Sequence, residues 1–120
     1  MEENVTIADQ LQKGGKDDRR SVIMINKFNV KPHDVRGLLE AWAADAAYLK
    51  QKQGFNYAQL HRGISGSCVF VNYEVWESVE YFNQATSDPA FRSALARYPE
   101  STAASSHLFR KVAVCGICVN

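Results

Sequence analysis

Three stretches of this 120-residue sequence carry side chains able to do chemistry. AVCGICVN, at the C-terminus, holds Cys115 and Cys118 in the C-x-x-C spacing of a redox dithiol or of half a metal site. VFVNYEVW sets Asn72 and Glu74 among apolar residues and ends on Trp76, and FNYAQLHR adds Tyr57, Gln59 and His61. Side chains alternate along a strand, so Phe70, Asn72, Glu74 and Trp76 share one face, with Asn72 and Trp76 ~13 Å apart at ~3.3 Å per residue. A tight hairpin pairing residues whose numbers sum to about 131 puts Tyr57, Gln59 and His61 on that face too. The expected result is a wall bearing an indole, an amide, a carboxylate, a phenol and an imidazole. An amide in mid-strand among Phe and Val needs a hydrogen-bonding reason, and lining a pocket is the favoured one for Asn72.

The cysteines read differently. In an extended strand, residues three apart point to opposite faces with Cα atoms ~10 Å apart, beyond the ~7 Å limit of a disulfide. A thioredoxin-like dithiol needs a helix N-terminus to acidify a thiol, and zinc needs four ligands where the only other cysteine is Cys68. Cys115 and Cys118 are therefore expected as small buried side chains of a final strand. His33 and His107 have no cysteine or carboxylate at ligand spacing and read as structural, so no metal site is expected. Asn26, on an otherwise apolar strand, reads equally as pocket lining or as structure. Trp42 falls on the apolar face of a helix, where it is core or part of a pocket wall.

The elements that must position these residues follow from periodicity. VIMINKFNV (22–30) is a β-rich run closed by Pro32. In the segment that follows, Val35, Leu38, Leu39, Trp42, Ala46 and Leu49 recur at helical spacing, with Pro32 and Asp34 suited to the first turn and Gly54 to the stop. Residues 55–64 and 68–76 flank Ser65-Gly66-Ser67 as a hairpin. A second helical region runs over 77–98 and breaks at Ser87-Asp88-Pro89. The last strand is expected over 107–119. The order β-α-β-β-α-β is the ferredoxin-like α+β arrangement, a four-stranded antiparallel sheet with its helices on one face. Val69, Val71, Tyr73 and Val75 make the third strand apolar on its other side as well, which predicts a second sheet from another subunit, a homodimer.

Composition sets the frame. The chain is 46% hydrophobic and 22% charged, with 14 basic and 13 acidic residues. That is one ordinary globular domain, with no basic patch for nucleic acid or membrane. No apolar run is long enough to span a bilayer, no secretory h-region is present, and three cysteines make a poor disulfide framework, so a cytoplasmic setting is expected. Residues 1–20, polar and containing Gly14-Gly15, read as a flexible or loosely docked arm that can cross to a partner subunit; the domain is expected over 21–120.

Gly54-Phe55 opening the second strand, Val75-Trp76-Glu77-Ser78 closing the third, and FRKVAV near the end resemble the antibiotic biosynthesis monooxygenase superfamily over residues 21–119. The resemblance implies a dimeric α+β barrel with a small-molecule pocket between each sheet and its helices. Its best understood branch is similar to cofactor-independent oxygenases that turn anthrones and phenols into quinones. There an Asn and a Trp four residues on line the pocket, matching Asn72 and Trp76. That implies a small aromatic substrate, molecular oxygen as co-substrate and no cofactor. In such a pocket His61 has the ionisation range of a general base, Asn72 can donate to an oxyanion, and Trp76 offers an N–H and a stacking surface. Tyr57, Phe70, Glu74, Asn26 and Trp42 would complete the lining. The Tyr and Arg of that branch fall one residue from Tyr81 and Arg97. A heme-degrading branch shares Asn26, but its iron ligand would fall on Leu95, which cannot bind iron. A binding or dimerisation module without catalysis is the remaining alternative.

Overall fold

The structure, a computed structural model, describes residues 5–13 and 20–118. Its first helix, α1 (Ile7–Lys13), lies within the segment expected as an arm. Thr6 and Asp9 cap it reciprocally: the Asp9 amide donates to Thr6 Oγ1 (3.1 Å) and the Thr6 amide to Asp9 Oδ2 (3.3 Å). Ile7 and Leu11, one turn apart, pack against the main core. Residues 1–4 and 14–19 of the arm lie outside the described residues.

The domain then runs β1 (Val22–Asn29), α2 (Val35–Leu49), β2 (Phe55–Arg62), β3 (Val69–Trp76), α3 (Val79–Thr86), α4 (Pro89–Leu95) and β4 (Ala103–Phe109). The sheet is antiparallel in the order β2-β3-β1-β4, the ferredoxin-like arrangement. A 3-10 turn over Pro32–Asp34 leads into α2. The break between α3 and α4 falls at Asp88-Pro89: Asp88 Oδ1 accepts from the Ala90 amide (2.9 Å), and Pro89 sits in the first turn, where no amide is needed.

Gly54 takes φ +88°, and a Cβ there would stand 2.3 Å from the Tyr81 ring. The turn before β2 and the start of α3 thus meet only because residue 54 is glycine.

Two expectations about the strands are corrected. The first concerns β2 against β3. Phe55 pairs with Trp76 as the tight-hairpin register requires, but a bulge then inserts Asn56, and Tyr57 faces Val75. One extra residue moves every later side chain to the other face. Tyr57, Gln59 and His61 therefore project away from the helices, and Ala58, Leu60 and Arg62 take their place.

The second concerns the last strand, which is Ala103–Phe109 rather than 107–119. β1 sets its limits: Asn29 pairs with Ala103 and Ile23 with Phe109, so residues beyond Phe109 have almost no β1 left to pair with. Instead the chain turns back on itself, with Val114 and Cys118 exchanging backbone hydrogen bonds (2.8 and 3.0 Å) around Gly116 at φ +78°. Cys115 and Cys118 are free and exposed, not buried in a strand.

The core lies between the sheet and the helices in two apolar clusters. One joins Val22, Met24, Leu49, Trp76, Phe82 and Leu108; the other joins Phe28, Val30, Leu38 and Phe70. Between Met24 and Phe28 on β1, Asn26 stands opposite Asn72 on β3 and Ser106 on β4. A polar row therefore crosses the sheet where the apolar clusters part. No helix among the described residues is long and apolar enough to cross a membrane.

Candidate functional site

That polar row is the floor of a cavity of about 490 Å³. α2 contributes Asp45 and Leu49, α3 and α4 contribute Phe82 and Phe91, and Ile7 and Leu11 of α1 close one side. The volume suits a two- or three-ring ligand, and the lining is mostly apolar with a few polar groups, as small-molecule sites are.

The polar groups form two linked sets. On β3, Glu74 is 4% exposed, and both its oxygens are occupied. Oε1 accepts from the Trp76 indole N–H (2.8 Å) and Oε2 from Asn72 Nδ2 (2.8 Å). A carboxylate only accepts, so it fixes the Asn72 amide with Nδ2 towards Glu74. Asn72 Oδ1 then has no partner, and neither has Asn26 Oδ1.

Across the cavity, Asp45 is 8% exposed. Its Oδ2 accepts from the Tyr98 hydroxyl (3.1 Å), while its Oδ1 is buried without a partner. Burial pushes the Asp45 carboxyl up, against the weaker lowering by the Tyr98 hydrogen bond and the Arg97 charge. Burial likewise raises Glu74, only partly offset by Trp76 and Asn72, and the Asp45 charge raises it further. Burial and the Asp45 charge hold the Tyr98 hydroxyl far above its ordinary range, so it remains a donor. Two buried carboxyl groups, both raised by burial and lining one cavity, are a common preparation for proton transfer.

The residues singled out in the sequence divide four ways. Asn26, Asn72 and Glu74 line the cavity. Trp76 and Phe70 share their face but are fully buried behind it: Trp76 lies edge-on between Phe55 and Phe82, and Phe70 packs in the second cluster. Trp76 therefore meets the cavity only through Glu74. Trp42 is half-buried against the second cluster, and Tyr81 packs on Gly54 with its hydroxyl accepting from Gln53 Nε2 (3.2 Å). Arg97 is exposed and acts on Asp45 through its charge. Tyr57 and His61 are exposed on the opposite face of the sheet, which separates His61 from the cavity where a base was expected.

Asp45 went unremarked in the sequence, although a signal for it was there. It continues the buried stripe Leu38–Ala41–Asp45–Leu49 at intervals of three, four and four, so a carboxylate stands in an apolar row. Tyr98, beyond the end of α4, gave no comparable signal. No histidine lines the cavity, and among the described residues no three His, Cys, Asp or Glu side chains gather as a metal site.

Residues 21–97 match the antibiotic biosynthesis monooxygenase family, and the chain belongs to it. Among solved structures, SnoaB, a cofactor-independent oxygenase from Streptomyces nogalater, is 22% identical with a TM-score of 0.70, covering 81% of this chain and 98% of its own. A protein from Shewanella loihica PV-4 is 27% identical over 79% of this chain and 97% of its own, with a TM-score of 0.67. Rv0793 from Mycobacterium tuberculosis is 15% identical over 80% and 99%, with a TM-score of 0.69. No curated protein sequence matches the chain.

Proposed function

We propose that this protein is a cofactor-independent monooxygenase that oxidises an electron-rich anthrone or phenol to a quinone with O2, acting as a homodimer. The observation that carries the reading is the pair of buried carboxyl groups, Asp45 and Glu74, facing an aromatic-sized cavity with Asn72 between the two apolar clusters. Family membership and the likeness to SnoaB support it. For an anthrone the balance is simple: the ring CH2 loses both hydrogens and becomes a carbonyl, one atom of O2 enters the product, and the other leaves as water. The substrate supplies all four electrons, so the protein needs only to remove a proton, steady the anion and exclude bulk water.

Asp45 Oδ1, unpartnered and buried, is the atom that receives the proton. Tyr98 and Arg97 hold and tune that carboxylate. Asn72, fixed by Glu74 and Trp76, positions the ring oxygen. The Asn72 Nδ2 carries a second hydrogen beyond the one given to Glu74, and that hydrogen is the one offered to the substrate oxyanion. The homodimer is supported by the outer face of the sheet, where Ile25, Val71, Tyr73 and Val75 are half-buried side by side with no helix over them among the described residues.

The test is O2 uptake with a hydroxyanthrone and chelator present and no added flavin or metal. Stoichiometric uptake with quinone formation is expected. Ligand binding without uptake, across several anthrones and hydroquinones, would return the protein to a binding module.

A further inference from the structure

In an extended strand the sulfurs of Cys115-Gly116-Ile117-Cys118 could not meet; in the turn this segment makes, they can. Val114 and Cys118 are a hydrogen-bonded pair, each amide donating to the other's carbonyl, and the Ile117 amide also donates to the Val114 carbonyl (2.9 Å). Gly116, at φ +78°, supplies the left-handed residue that such a reversal needs. Opposite residues of a hydrogen-bonded pair stand about 5.5 Å apart and consecutive Cα atoms about 3.8 Å. Five Cα atoms closed into a ring of those sides put the Cys115 and Cys118 Cα atoms on the order of 6 Å apart, inside the range of about 4.4–6.8 Å that a disulfide spans. Cys118 Sγ donates to the Val112 carbonyl (3.2 Å), so its side chain crosses to the limb that leads into Cys115. Residues 111–118 are all exposed, and both thiols are free. Among the described residues no third His, Cys, Asp or Glu gathers with them, so the chemistry the pair shares is that of two sulfurs.

We infer that this turn is a reversible dithiol–disulfide site, oxidised by exchange with a low-molecular-weight disulfide. The Cys118 thiol is engaged with Val112, so Cys115 is the sulfur that reacts first. Its thiolate attacks one sulfur of the incoming disulfide, that S–S bond breaks, and one thiolate leaves and takes up a proton. Cys118, deprotonated in turn, attacks the Cys115 sulfur of the mixed disulfide and expels the second thiol. The protein gives up two electrons and two protons, and the small disulfide becomes two thiols. A small dithiol reverses every step. Neither cysteine lines the cavity, so this chemistry is separate from the oxygenase reading.

The experiment incubates the reduced full chain with excess glutathione disulfide, blocks the remaining thiols with iodoacetamide, and weighs the protein and its tryptic peptides. The peptide that begins after Lys111 holds both cysteines, and Cys68 lies in another, so the two places are read apart. The peptide after Lys111 should lose two hydrogens, ~2 Da, and resist alkylation, while Cys68, which has no neighbouring cysteine, forms no internal bond. Dithiothreitol should restore two alkylatable thiols. Cys118→Ser should instead keep a glutathione adduct on Cys115, at least ~10-fold more abundant than in the wild type, because a thiol tethered three residues away acts at an effective concentration on the order of millimolar or higher. Stable adducts on both wild-type cysteines, disulfides between two chains in place of the internal bond, or two unreacted thiols each overturn the inference. The wild-type measurement stands without the variant, and the substitution falls in an exposed turn outside both apolar clusters. O2 uptake has no part in the readout, so this inference and the oxygenase reading fail separately.

Discussion

The two faces of β3 are unfinished in opposite ways. Facing the helices, Phe70 and Trp76 are sealed, and what lacks a partner is polar: the amide oxygens of Asn72 and Asn26, and one carboxyl oxygen of Asp45 on α2. Facing outward, the surface is more apolar: Val71, Tyr73 and Val75 are half-buried, Tyr73 meets the Tyr57 ring edge-on, and Arg20, Arg110 and Lys111 border Tyr73 and Val75. Unmet buried acceptors call for hydrogen-bond donors. An unmet apolar plane calls for another plane. Alternation along eight residues lets one strand make both demands.

Substitutions on the two faces should therefore fail in different assays. The largest effect is expected inside: Asp45→Asn should lower anthrone turnover by ~10²–10⁴-fold, the usual contribution of a general base, with the melting temperature preserved. Unchanged turnover would remove Asp45 from the chemistry. Next, Trp76→Ala should cost about 3–5 kcal/mol in a denaturant titration, because a fully buried indole between Phe55 and Phe82 is lost and Glu74 Oε1 loses its donor. Trp76→Phe, keeping the ring, should be milder in stability yet still impair turnover. On the outer face, Val71→Arg should leave the subunit folded but shift its sedimentation from dimer to monomer. A dimer that survives would place the partner elsewhere.

A pH titration of stability should be the smaller discriminator. Asp45 and Glu74 have folded-state values raised above the unfolded ones, so the folded state binds more protons between those values. Their burden on stability is present at neutral pH and is relieved as pH falls through the raised values. Asp88 behaves oppositely. The Ala90 amide, the Tyr48 hydroxyl and the Lys52 ammonium hold it down at about 2, so its contribution is present above its ordinary 3.8 and lost as pH falls towards 2. Asp45→Asn with Glu74→Gln should flatten the first trend and leave the second. Smallest of all, His61→Ala should leave turnover at the parental level, since the sheet separates that ring from the cavity.

Much of this was written in the sequence. The β-α-β-β-α-β order, the Asp88-Pro89 break and the Asn72–Glu74–Trp76 face follow from period, capping and alternation, which are local. The hairpin register was not legible, because the bulge at Asn56 satisfies Phe55 against Trp76 and the later pairings together, a tertiary condition. It moved His61 and Tyr57 to the other face. The last strand misled in the same way: KVAVCGICV has strand-forming residues, but the length of β1 decides what can pair. Tyr98 met Asp45 only through folding, the two lying 53 positions apart in sequence. Ile7 and Leu11 went unremarked because a seven-residue helix in a polar segment leaves too short a pattern to read.

Gln10 of α1 has a consequence of its own. Its Oε1 accepts from the Leu108 amide (2.8 Å) and its Nε2 donates to the Leu108 carbonyl (2.9 Å), so one carboxamide occupies both backbone groups of that residue as a neighbouring strand would. β4 is the last strand on its side of the sheet, and bare edges recruit strands from other molecules. The polar segment that composition reads as an arm is thus also the partner of this strand edge at Leu108.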